Sequence, residues 1–167
     1  MSMKKTLMCP VVLIAIVIFG HSANGRGQDA AKEKEETPVI IFVCEHGAAK
    51  SIVSAAYFNK LAKERGLNFR AIARGTNPDP EISPKVREGL QKDGLASSEP
   101  APRKISKADL TGARRVITFC SLPDDYADKV QVEHWDDLLW ESGNYNSSRD
   151  RVLERINRLL AELKSKQ

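Results

Sequence analysis

The chain has few of the residues from which cofactor sites are usually built. Among 167 residues there are three cysteines (Cys9, Cys44, Cys120) and three histidines (His21, His46, His134), none in the close spacing that a zinc site needs. No metal is therefore expected. The ten glycines form no Gly-rich nucleotide-binding signature, so no cofactor is expected either. Charge of one sign is also scarce. Without Lys4 and Lys5 the formal net charge of +4 falls to +2, which gives no reason to invoke nucleic acid or an anionic membrane surface as a partner. Long apolar runs are missing too. Val11 to Phe19 is the longest, and it is too short for a comfortable membrane span, which needs about 20 residues. No internal repeat is evident.

That apolar run follows Lys4 and Lys5 and precedes the small residues Gly20, Ser22, Ala23 and Gly25, the pattern of a secretory signal peptide over residues 1–25. The chain is expected to be exported, periplasmic or secreted, with no stable membrane association after cleavage. An uncleaved N-terminal anchor is the alternative. Residues 26–37 are polar, rich in Lys and Glu and without apolar periodicity, and read as a solvated linker. Residues 38–167 suffice for one domain. Only Cys44 and Cys120 then remain in the mature chain, as a structural disulfide or as a reactive pair.

Val39 to Val43 is a continuous β-branched and aromatic run, typical of a strand buried on both faces. A helical stripe follows from Ser51 to Arg65 and ends before Gly66. Phe69 to Ala73 predicts a second strand, Ser83-Pro84 the capped start of a helix to about Asp93, and Ser106 a short helical turn. Further strands are predicted at Arg115 to Phe119 and, more weakly, Lys129 to Glu133, with a final helix from about Ser147 to Leu163. Strands alternating with helices predict an α/β fold, a three-layer sandwich around a four-stranded parallel sheet. In such sheets ligands bind at the carboxyl ends of strands, where Cys44, Cys120 and Asp136-Asp137 fall.

Cys44 opens the stretch Cys-Glu-His-Gly-Ala-Ala-Lys-Ser between the first strand and the first helix. A turn of this kind offers the backbone N–H groups of Glu45, His46, Gly47, Ala48, Ala49, Lys50 and Ser51 to an oxyanion at the positive end of a helix dipole. The field that attracts the anion also favours a thiolate, so the anion meets an activated nucleophile. An inert buried cysteine is the plainer reading. Glu45 would be repelled by a bound anion and is expected to point outward. His46 either faces solvent or tunes the thiolate.

A cysteine followed after five residues by a basic residue and Ser51, just past the first strand, resembles the low-molecular-weight protein tyrosine phosphatase superfamily, which includes thioredoxin-coupled arsenate reductases. Arg74-Gly75-Thr76, Pro84, Cys120 and the Asp136-Asp137 loop extend the resemblance from about Pro38 to the C-terminus. It implies that Cys44 attacks the phosphorus or arsenic of an oxyanion substrate and that Ser51 hydrogen-bonds the thiolate. It also implies that Lys50 stands at the position of the basic clamp, and that Asp136 or Asp137 protonates the leaving oxygen. In the arsenate reductase branch Cys120 would form a disulfide with Cys44, later opened by a thiol reductant. Three positions differ from the family pattern. Lys50 stands for the usual arginine, Gly47 for an asparagine that braces the loop, and Asp136-Asp137-Leu138 for Asp-Pro. Ala127 lies near the place of a further cysteine, so a three-cysteine relay is excluded. The expected activity is phosphate monoester hydrolysis through a phosphocysteine. The alternatives are arsenate reduction by a Cys44/Cys120 dithiol and non-catalytic oxyanion binding.

Overall fold

A computed structural model describes residues 36–123, 126, 131–140 and 144–166. The signal segment, nearly all of the linker, Ala127 and the first half of the expected fourth strand lie outside the described residues. The elements run β1 (Val39–Cys44), α1 (Lys50–Glu64), β2 (Arg70–Gly75), α2 (Pro84–Lys92), α3 (Lys107–Thr111), β3 (Ala113–Thr118), β4 (Val132–His134) and α4 (Tyr145–Ser165). Among the described residues no helix is long and apolar enough to cross a membrane.

All strand pairs are parallel, in the order β2-β1-β3-β4. Alternate β1 residues serve opposite faces, as the two-residue period of a strand requires. Ile40, Phe42 and Cys44 join the larger core beneath α1 and α4, with Ile52, Phe58, Ile156 and Leu160. Ile41 and Val43 join Ile72, Val116, Ile105 and Leu110 on the other face. The continuous apolar run therefore reflects burial on both sides.

Two boundaries differ from the sequence reading. β3 begins at Ala113 and ends at Thr118, which leaves Cys120 two residues past the strand rather than at its end. α4 begins earlier because the Asn144 side chain accepts the Ser147 N–H at 3.1 Å and acts as the N-cap. The short turn at Ser106 is a helix with a full capping box, in which the Ser106 and Asp109 side chains each serve the other's backbone N–H. Trp135 is almost wholly buried and packs on Phe42 and Phe119 at centroid distances of 5.8 Å. Its indole N–H donates to Glu133 at 2.6 Å.

On the sheet's far side Arg115 joins β3 to α4 through Glu162 and to β4 through Glu133. Hydrogen bonds from Arg115, and then from Lys166, hold the Glu162 carboxyl down to about 2. A depressed carboxylate contributes stability above its unfolded value and loses it as pH falls through the folded one. Thermal melts should therefore show the melting temperature falling between pH 4.5 and about 2, less steeply in Glu162→Gln. Identical slopes for the two proteins would show that this tie contributes nothing.

Candidate active site

β1 is flanked by β2 and β3, so the chain leaves in opposite directions on either side of it, and a crevice opens above its carboxyl end. Cys44 is the last residue of β1. β3 pairs with β1 as far as Thr118 opposite Val43, and Phe119 N–H still donates to the Val43 carbonyl at 2.8 Å. This adjacency brings Cys120 to the same crevice.

Between Cys44 and α1 the backbone is fixed from behind. The carbonyls of Cys44, Glu45, His46 and Ala48 accept the N–H groups of Thr76 (3.1 Å), Asn77 (2.8 Å), Asp79 (2.9 Å) and Ser83 (3.1 Å). Among the described residues, none of the N–H groups from Glu45 to Ala49 is given to a backbone carbonyl. Those donors, with the open first turn of α1, form a surface suited to an anion. Gly47 has φ +61°, a conformation that glycine adopts freely and asparagine tolerates, and its backbone lies directly against Gly75. A Cβ on Gly75 would come within 2.8 Å of the Gly47 nitrogen. Two residues without side chains thus let the loop after β1 rest on the end of β2.

Cys44 Sγ lies 3.2 Å from Ser51 Oγ, and Ser51 is fully buried in the first turn of α1. With Cys44 as a thiolate, the serine hydroxyl is the donor. The thiol forms part of a cleft of about 230 Å³. Its apolar walls are Ala49, Phe119 and Trp140, and its polar lining is Cys44, Glu45, His46, Lys50 and Cys120. Ala48 is buried beneath the loop.

Lys50 is engaged at the cleft edge. Its Nζ donates to the Leu138 carbonyl at 3.4 Å and sits 5.5 Å from the centre of the Phe119 ring. The loop after β4 is therefore tied to the anion loop by the residue that replaces the arginine. Asp136 and Asp137, expected as acids, are not among the described residues that line the cleft. Asp137 is ion-paired with Arg155 of α4, and Asp136 lies 3.6 Å from His134 Nδ1. The salt bridge to α4 explains the orientation of Asp137.

Glu45 and His46 are more than half exposed, as the sequence suggested, yet both contribute to the cleft lip. His46 Nδ1 lies 3.1 Å from Asp79 Oδ1, and its Nε2 lies 3.8 Å from Glu45. Cys120 is a free, half-buried thiol. Burial pushes its pKa up, the Thr118 and Thr76 hydroxyls oppose this, and the nearby Cys44 and Glu45 charges add to the rise. Among the described residues no group of His, Cys, Asp and Glu is arranged to hold a metal ion.

Sequence reasoning missed Phe119 and Trp140 as cleft walls. An aromatic just after a strand, and another just beyond an acidic loop, were the available signals. Arg74, noted only as part of a resemblance, is an internal brace. It donates to Glu99 and Asp109, both at 2.9 Å, and to the Ala73 carbonyl.

Comparison with known proteins agrees with this geometry. The family model described as low molecular weight phosphotyrosine protein phosphatase matches residues 39–167. A putative arsenate reductase from Halobacterium salinarum is 28% identical over 134 residues, which cover 77% of this chain and 94% of that protein. A crystal structure of a YwlE mutant from Bacillus subtilis superposes with a TM-score of 0.66 at 24% identity, over 76% of this chain and 99% of that one. The thioredoxin-dependent arsenate reductase Cg_ArsC1' from Corynebacterium glutamicum gives 0.65 at 22% identity, over 83% of this chain and 67% of that one. At these identities the two structures speak for the fold alone.

Proposed function

Since the chain belongs to the low-molecular-weight phosphotyrosine protein phosphatase family, we propose that it hydrolyses phosphate monoesters through a phosphocysteine at Cys44. The observation that carries this reading is the Cys44 sulfur, 3.2 Å from a buried serine hydroxyl, on a loop whose carbonyls are tied away and whose N–H groups are unclaimed. The thiolate attacks phosphorus, and the N–H groups of the loop and of the first turn of α1 take the equatorial oxygens. The ester oxygen departs, and water then releases phosphate and restores the thiolate. Ser51 stabilises the thiolate at both stages. Lys50 contributes a point charge in place of a guanidinium fork.

Arsenate reduction is the second reading, supported by Cys120 lining the same cleft as Cys44. Its sulfur would attack Cys44 after arsenate has been bound there, and a thiol reductant would reopen the disulfide. Because burial raises the Cys120 pKa, this closure should quicken as pH rises toward and past the ordinary thiol range. If the chain is exported, as its N-terminus suggests, such a pair would also shield Cys44 from over-oxidation.

The deciding experiment assays an activated aryl phosphate, and arsenate-dependent thiol consumption, with wild type, Cys44→Ser and Cys120→Ala. A phosphatase loses aryl phosphate turnover in Cys44→Ser alone, whereas a reductase loses arsenate turnover in both variants. No turnover of either substrate, with phosphate still raising the melting temperature, would leave an oxyanion-binding module. Lys50→Arg should raise aryl phosphate turnover by about tenfold or more, because a fork restores paired contacts to the equatorial oxygens. An unchanged or slower rate would mean that the Leu138 tie, not the lost fork, governs this position.

A further inference from the structure

Phosphate ester cleavage needs a proton for the leaving oxygen and an acceptor for a proton of the attacking water. The two aspartates after β4 are turned to Arg155 and His134. Two titratable side chains other than the cysteines and Lys50 do line the Cys44 cleft, namely Glu45 and His46. Of these, His46 is aimed by a second residue. Its Nδ1 pairs with Asp79 Oδ1 at 3.1 Å, while Asp79 N–H donates to the His46 carbonyl at 2.9 Å. The same two residues are thus joined through backbone and side chain, so the ring is held at a fixed place on the lip. A carboxylate at Nδ1 selects the tautomer with hydrogen on that nitrogen and leaves Nε2 as the atom that gains or loses a proton. Nε2 faces Glu45 at 3.8 Å. The other ionisable groups of the cleft are Cys44, Cys120 and Lys50.

We propose that His46, aimed by Asp79, is the proton donor and acceptor of the Cys44 cleft. The inference rests on the phosphatase reading above. In the first step the Cys44 thiolate forms the S–P bond, the P–O bond to the leaving group breaks, and the leaving oxygen takes the Nε2 proton. The imidazolium becomes neutral imidazole. In the second step water forms a P–O bond, Nε2 takes one of its protons, and the S–P bond breaks to return the thiolate. Phosphate leaves and the imidazolium is restored, so protons and electron pairs balance with water as the only co-reactant. Asp79 acts through His46 as a positioning residue.

The test uses two esters that differ in how much they need an acid, phenyl phosphate with a poor leaving group and 2,4-dinitrophenyl phosphate with a good one. His46→Gln in the full chain should lose about 100-fold in kcat/KM on the phenyl ester and only a few-fold on the dinitrophenyl ester. Asp79→Asn should show the same asymmetry at roughly a tenth of the size. His46→Gly should regain phenyl phosphate turnover with added imidazole, which a merely structural role would not permit. Equal losses on both esters, or no rescue, would overturn the inference while leaving the phosphatase reading intact. So would the leaving-group asymmetry appearing in Asp136→Asn or Asp137→Asn instead. Wild type that turns over neither ester removes both readings together.

Discussion

Cys44→Ser is expected to lower aryl phosphate hydrolysis by on the order of a thousandfold or more while leaving the fold and phosphate binding in place. The expectation follows from where the sulfur sits. Cys44 is 5% exposed at the end of β1, and Sγ meets the Ser51 hydroxyl at 3.2 Å. A serine oxygen fits that space and keeps the hydrogen bond. An alcohol at neutral pH, however, carries almost none of the anion that a thiol carries, and no base is in contact with Sγ among the described residues. The N–H cradle owes nothing to the sulfur, since it is held by Thr76, Asn77, Asp79 and Ser83. Initial rates would therefore collapse while phosphate still raised the melting temperature. Activity within tenfold of wild type would remove Cys44 from the chemistry.

The second large effect is on stability. Arg74→Met should destabilise the fold by about 3–5 kcal/mol, the usual result of removing one member of a buried ion pair. The Arg74 side chain is 7% exposed and shares its guanidinium between Glu99 and Asp109. Without it, Glu99, itself only 10% exposed, keeps Arg103 at 4.0 Å as its nearest cation among the described pairs. Asp109 is less stranded, because its other oxygen serves the Ser106 N–H and hydroxyl. The double variant Arg74→Met/Glu99→Gln should recover part of the loss, since a neutral amide is cheaper to bury than an unpaired carboxylate. Urea denaturation at neutral pH would measure both variants. A single-variant loss below about 1 kcal/mol would mean that water reaches Glu99 when the arginine goes.

Much of this was legible in the amino-acid order, because the features concerned are local. The run from Val39 to Val43, the stripe on α1 and the Ser83-Pro84 start of α2 each follow from neighbours in sequence, and each element is present. Cys44 and Ser51 meet because one strand end and one helix turn bring them together. Pairings across long separations were not legible. His46 with Asp79 spans 33 positions, Arg74 with Asp109 spans 35, and Lys50 with Leu138 spans 88. No periodicity encodes such meetings; the strand order does, and β1 lies between β2 and β3 only once the sheet is assembled. Asp137 illustrates the converse. Its place beside an acidic loop suggested the cleft, while its partner Arg155 belongs to a helix whose sequence pattern advertises only its apolar stripe.

The contact between Gly47 and Gly75, with the four carbonyl ties behind it, bears on how portable this anion site is. The eight residues from Cys44 to Ser51 look like a self-contained cassette, but their curvature is moulded by the segment from Gly75 to Ser83. Transplanted alone into a foreign sheet, the octapeptide would lose its template and relax. Moved together with that segment, it should arrive already shaped. In inheritance as in engineering, the transferable unit is the pair of loops.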